Sequence, residues 1–183
     1  KNLEVYLKRV WFSNGIHHHY SADKFLPAFS QEFFRGELAK LDQSKLPLQE
    51  GETLDQLCNE VFPVMFDPNI MAKRVNQADG QDLVMTSASN YYEGVTQKEA
   101  EEFYSAMKNP NDTMPIMFGM NSRLVKENGK IYEKVWKSGA LYGAAIDKVI
   151  FWLEKAEQVA ENDTQKAVIT KLIQFYKDGN LKT

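Results

Sequence analysis

Leu3, Leu7, Val10 and Trp11 recur at the three- and four-residue spacing of a helix and predict one over residues 3–12, with these four as its apolar side. Ser13-Asn14-Gly15 breaks the pattern. Residues 16–23 follow as an irregular or extended segment holding three consecutive histidines, His17, His18 and His19. Pro27 and Ser30 prepare a second helix near residues 31–41, whose apolar side is Phe33, Phe34, Leu38 and Leu41. Pro47 and Gly51 mark residues 42–52 as loop. Thr53-Leu54-Asp55-Gln56 has the form of a capping box, in which Thr accepts from the backbone and Gln reaches back. Leu54, Leu57, Cys58, Val61 and Phe62 then form one stripe, which predicts a helix over 54–62 that Pro63 ends or kinks.

Polar residues 75–80 read as loop, and Leu83-Val84-Met85-Thr86 as a short strand. A second capping box, Thr96-Gln97-Lys98-Glu99, opens a helix to about residue 108 that buries Ala100, Phe103 and Met107. Asn109-Pro110-Asn111-Asp112 stops it. Asn128-Gly129 between residues 123–127 and 130–136 is the clearest hairpin signal, because both residues tolerate the positive φ of a type I′ turn. Ile146, Val149, Ile150, Leu153 and Ala156 define a helix over 140–161. Ala167, Val168, Leu172, Ile173 and Phe175 define another over 164–177, which Gly179 ends. The short Asn162-Asp163 link makes these two an antiparallel pair. The apolar arc around Phe151 and Trp152 is wider than one buried stripe requires and predicts an exposed apolar patch. The expected fold is α+β, predominantly helical, with a small antiparallel β-hairpin, in one domain over residues 1–183.

Composition narrows the function classes. Of 183 residues, 43% are hydrophobic and 12% aromatic, which suits a packed core and not a disordered chain. A formal charge of -3 supplies no net basic field to hold a phosphate backbone, so nucleic acid is not an expected partner. No apolar run approaches the roughly 20 residues that span a bilayer, so no membrane is expected either. Cys58 is the single cysteine, which rules out an internal disulfide and any multi-thiolate zinc site and favours a reducing, cytoplasmic setting. It lies on the apolar stripe of its helix, where a thiol is buried and inert. The chain opens at Lys1 already in helical pattern, and reads as a segment of a longer protein.

His17, His18 and His19 are the only histidines. Zinc favours two histidines one helical turn apart, which consecutive residues do not provide. On a strand, His17 and His19 would share a face, and a third ligand would have to come from elsewhere. A role lining a cleft or making hydrogen bonds fits the run better than a metal site. The run is too short, and too far inside the chain, for a purification tag. No nucleophile elbow and no phosphate-cradling glycine loop occurs. The residues alone reveal no reaction, and a non-enzymatic helical module that binds a ligand or protein through its Tyr and Trp residues remains the alternative.

Residues 10–27, Val-Trp-Phe-Ser-Asn-Gly-Ile-His-His-His-Tyr-Ser-Ala-Asp-Lys-Phe-Leu-Pro, resemble the N-terminal region of the bacterial branch of the dipeptidyl peptidase III family. Asn90-Tyr91-Tyr92-Glu93-Gly94-Val95-Thr96, Asn121-Ser122-Arg123-Leu124-Val125-Lys126, Tyr142-Gly143-Ala144-Ala145-Ile146 and Leu153-Glu154-Lys155-Ala156 resemble further segments of the family in the same order. The resemblance covers most of the chain. It implies a fragment of a two-lobed zinc exopeptidase that removes N-terminal dipeptides from oligopeptides, using a zinc-bound water and a glutamate base. The family's His-Glu-x-x-Gly-His helix is absent here, since no histidine is followed by Glu. The resemblance therefore places no catalytic residue, metal ligand or cofactor in this chain. Zinc would belong to the full-length parent, and the zinc-bearing lobe would be a partner of this one. It also implies that Tyr20, four residues before Lys24-Phe25, faces the substrate peptide where the family carries an aromatic. Asn14, His17, His18 and His19 would line the same wall.

Overall fold

The computed structural model describes all 183 residues and is a mixed α+β structure, mostly helical, with six helices and a small three-stranded sheet. It divides into two compact units, Lys1–Ser89 and Asn90–Thr183.

The first unit is built on three helices. α1 runs Asn2–Ser13, α2 Gln31–Ala39 and α3 Leu54–Phe66, with a single 3-10 turn at Gln43–Lys45. Helix α1 begins and ends near the expected positions, but its buried side is turned from the one its hydrophobic pattern predicts. Tyr6 and Ser13 are buried and Leu3 and Val10 partly so, while Leu7 is exposed and Trp11 is 67% exposed. The reason is aromatic packing. The Tyr6 ring meets Phe29 edge-on at 5.9 Å, and Phe29 is the hub of a cluster with Phe34 at 5.5 Å and Phe66 at 5.8 Å. Edge-to-face contacts of this kind favour the pairs beyond the area they bury.

The same cluster explains why α3 runs past Pro63 and does not end there. Phe62 and Phe66 lie one turn apart, with rings 5.3 Å apart, and Phe62 also meets Phe34 at 5.9 Å. Holding both rings against Phe29 and Phe34 requires the last turn, which offsets the missing proline N–H. The Thr53–Gln56 capping box forms as expected, and Cys58 is buried. Residues 83–86 form a turn instead of a strand. The Asp82 carboxylate accepts from the Val84 and Met85 amides at 3.0 and 2.9 Å, and the Thr86 amide donates to the Asp82 carbonyl at 3.2 Å. A side chain that satisfies local amides in this way competes with a strand ladder.

In the second unit the strands are β1 Tyr92–Glu93, β2 Ser122–Glu127 and β3 Lys130–Val135. β2 and β3 form the predicted hairpin, and Asn128 and Gly129 both take positive φ, 51° and 76°. The two-residue β1 pairs parallel to β2, an association that no local pattern announces. Helix α4, Gln97–Met107, lies under the sheet. Leu124, at 0% exposure, meets Val95 and Ala100, with Phe103, Tyr104 and Ile131 around them. Met107 is exposed, contrary to the pattern. Helices α5, Gly143–Gln158, and α6, Asp163–Asp178, pair through Ile146, Ile150 and Ile173. Glu157 accepts from Thr170 while Glu154 meets Lys177, so the helices run antiparallel. The buried stripe of α6 is Ile169, Ile173 and Tyr176. Val168 and Leu172 are exposed, as is Val149 of α5. Phe151 and Trp152 are exposed as expected.

The second capping box has an electrostatic consequence. Glu99 accepts from the Thr96 amide at 3.0 Å and from Lys126 Nζ at 2.5 Å, and these bonds lower its pKa from 4.5 to about 2, with Lys126 the main cause. A depressed carboxylate contributes stability that is fully present above its unfolded value and is lost as pH falls through its folded one. Wild-type protein should therefore melt above Glu99→Gln at neutral pH, and the gap should close between pH 4.5 and about 2. Melting curves of the two proteins across that range check this, and a gap independent of pH would remove the ion pair from the account.

Candidate functional site

The His-Tyr segment is a tight loop whose position is set by the end of α1. Asn14 takes the left-handed conformation at φ 52°, its amide bonds Trp11 O at 3.3 Å and the Gly15 amide bonds Val10 O at 3.0 Å, which is a Schellman cap. The backbone of Asn14 thus turns the chain out of the helix, and its side chain is exposed.

From there the chain forms a short ladder with itself. The Phe25 amide donates to Ile16 O at 2.8 Å, and the His18 amide to Asp23 O at 2.7 Å. At the tip the Ala22 amide returns to His18 O at 3.0 Å, and the His18 Nδ1 accepts from the Tyr20 and Ser21 amides at 3.2 and 3.3 Å. With Nδ1 accepting from two amides, Nε2 is the ring nitrogen left to carry a proton. The base is tied to residues 67–74. Lys24 Nζ donates to the carbonyls of Asp67 and Ile70 at 2.5 and 2.6 Å, Lys73 pairs with Asp23, and Arg74 donates from its backbone to Ala22 O at 2.9 Å and from its side chain to His19 O at 3.2 Å. Burial pushes the Lys24 ammonium below the usual lysine range, while the Asp67 charge pulls it back up. Asp23 is held below the usual carboxylate range by its bonds to Lys73 and Ser21.

The three histidines separate into two roles. His17 is buried, and its Nε2–H donates to Met71 O at 2.7 Å, anchoring the loop to the turn after α3. His18 and His19 stack at 4.8 Å with an interplanar angle of 15°, and Tyr20 leans on His19 at 4.2 Å. Phe25 closes against His18 at 5.9 Å. His17 and His19 therefore do not share a face, because the chain turns at the tip and does not run on as a strand. Tyr20 is 87% exposed although its own amide and the Ser21 amide bond His18 Nδ1 and the His19 carbonyl accepts from Arg74. Of the five expected site residues, the structure gathers His18, His19 and Tyr20. It sets His17 beneath them and leaves Asn14 at the helix cap.

These residues do not fit a zinc site. His17 Nε2 and His18 Nδ1 are engaged with backbone groups, and no group of three or more His, Cys, Asp or Glu side chains is drawn together anywhere in the chain.

What the pattern did not announce is a groove beside the loop. Its volume is about 520 Å³, and it is lined by Val5, Lys8, Arg9, Phe12 and Ser13 of α1 and by His18, His19 and Phe25. Val5, Lys8, Arg9 and Phe12 follow the i, i+3, i+4, i+7 rule, a second stripe on α1 beside the buried one. That spacing was readable, but two cations within it disguise it as an ordinary solvated face.

No protein-family model matches the chain, and no curated protein matches it.

Proposed function

We propose that this chain forms part of the cleft wall and scaffold of a zinc-dependent dipeptidyl peptidase that removes N-terminal dipeptides from oligopeptides. In this reading the zinc site lies in another lobe of the same protein, and the protein works in the cytoplasm. The resemblance of five ordered segments to the dipeptidyl peptidase III family supports it. One structural observation carries it: Tyr20, where that family has a peptide-facing aromatic, holds its ring in solvent on a backbone pinned by at least four hydrogen bonds around the tip. A large ring kept exposed on a rigid loop gains nothing from folding and suits contact with a ligand. His18 and His19 stack behind it and limit where the ring can go.

The chain's part in the reaction is positioning. A peptide laid against Tyr20 is held in register by apolar and aromatic contact while bond cleavage takes place elsewhere. The test is to incubate the full-length parent with an oligopeptide and follow the products by mass spectrometry. Successive loss of N-terminal dipeptides is expected. Release of single residues or of internal fragments would overturn the dipeptidyl reading, and release of nothing would favour the alternative, a non-enzymatic helical module that binds a ligand or protein.

A further inference from the structure

Phe12 is 84% exposed, yet it sits on the same helical face as Val5, Lys8 and Arg9 and lines the groove beside His18 and His19. Neither cation is committed: Lys8 and Arg9 have no ion pair and no side-chain hydrogen bond. No acidic residue lines the groove. The acidic groups closest in sequence are spoken for, since Asp23 pairs with Lys73 and Glu4 lies 4.0 Å from the terminal amine. In a chain of net charge -3 this is a local field of opposite sign. The contrast with the second groove of the same unit is instructive. That one, about 530 Å³ between α2 and α3, has Arg35 as its cation, and Arg35 is paired with Asp55 and lies 5.5 Å over the Phe62 ring.

We infer that the groove between α1 and the His-Tyr loop binds a peptide segment carrying an acidic side chain next to an aromatic one. This names the substrate class of the proposed cleft wall, and rests on that reading for the ligand being a peptide. The ring of the peptide packs among Phe12, Phe25 and the stacked His18–His19 pair, where aromatic surfaces prefer edge and offset contacts. Its carboxylate meets Lys8 and Arg9 at the rim. Rim charges of this kind set selectivity and salt dependence more than total affinity. Tyr20, beside His19, marks the end of the groove from which the peptide continues.

Calorimetric titration of the 183-residue chain with the pentapeptide Ala-Phe-Asp-Glu-Ala, compared with Ala-Phe-Asn-Gln-Ala and Ala-Phe-Lys-Lys-Ala, tests it. The acidic peptide should bind about tenfold more tightly than the neutral one, and the advantage should shrink between about 20 and about 200 mM salt. The double variant Lys8→Glu, Arg9→Glu changes only exposed side chains. It should keep the wild-type circular dichroism and reverse the order of the acidic and basic peptides. Amide shifts in NMR should centre on Phe12, His18, His19 and Phe25. Equal affinities, no binding of the acidic peptide at about 1 mM, shifts centred elsewhere, or a charge-reversed variant with unchanged preference would each overturn the inference. So would loss of peptide binding at this groove in the full-length parent, which would mean that another segment covers it. The outcome is separable from that of the cleavage assay: selective binding without dipeptide release sinks only the peptidase reading, and dipeptide release without acidic selectivity sinks only this one.

Discussion

Gly179→Ala should destabilise the protein by about 3 kcal/mol, the sum of a left-handed backbone penalty and a steric one. Gly179 caps α6 at φ 69°, and its amide bonds Phe175 O at 2.7 Å while its carbonyl accepts from Asn121 Nδ2 at 2.9 Å. These bonds dock the end of α6 against the residue preceding β2 and leave no room for a side chain. An added Cβ would lie 2.4 Å from Val135 Cγ1 and 3.4 Å from Lys137 Cδ. Lysine can swing aside, but Val135 is β-branched and set in β3, so the helix end or the strand must move. For a unit of this size the melting temperature should fall by roughly 10–20 °C. Gly129→Ala supplies the control. It has a similar φ, 76°, with nothing within 4 Å of its Cβ, and should lose only the backbone part, about 1 kcal/mol. Equal losses for the two variants in denaturant titrations would show that the close approach to Val135 is relieved at no cost.

On the proposed peptidase reading, Tyr20→Ala should raise KM for dipeptide release by the longer protein about three- to tenfold, the range of an aromatic contact worth roughly 0.5–1.5 kcal/mol. Stability should stay within about 0.5 kcal/mol of wild type, because the ring is exposed and the loop is held by backbone bonds that the substitution leaves in place. Tyr20→Phe should be milder, since its ring supplies most of the contact. A loss of kcat through looser positioning is compatible with this account. Wild-type kinetics for Tyr20→Ala, or a melting temperature that falls together with activity, would return Tyr20 to a structural role.

The elements that were legible are those whose signals are local. Thr53 and Thr96 each sit three residues before a side chain that can reach back, and both capping boxes form. Asn128-Gly129 makes its turn, and Gly179 ends its helix in the left-handed conformation that glycine adopts most easily. Each outcome depends on dihedral preferences and bonds within a few residues. The fold class follows from them. At the candidate site, the break at Asn14-Gly15 and the placement of Tyr20 beyond it belong to the same local category.

What the sequence could not decide by itself is which way each helix faces and what pairs across distance. Leu7 and Trp11 are better core residues than Tyr6 and Ser13 on hydrophobicity alone, but the Phe29 hub lies on the other side of α1. Pro63 is a helix breaker locally, yet the Phe62–Phe66 contacts carry α3 past it. The two-residue β1 exists only because β2, about thirty residues later, offers it an edge. The histidine run divides for the same reason: the Met71 carbonyl draws His17 inward, and the ladder between residues 16–18 and 23–25 turns His18, His19 and Tyr20 outward. Local dihedral preference and capping determined where both capping boxes open their helices, where the hairpin turns and where α6 ends. Burial, which is a property of whatever packs against a surface, decided which residues are core and which are left to meet a ligand.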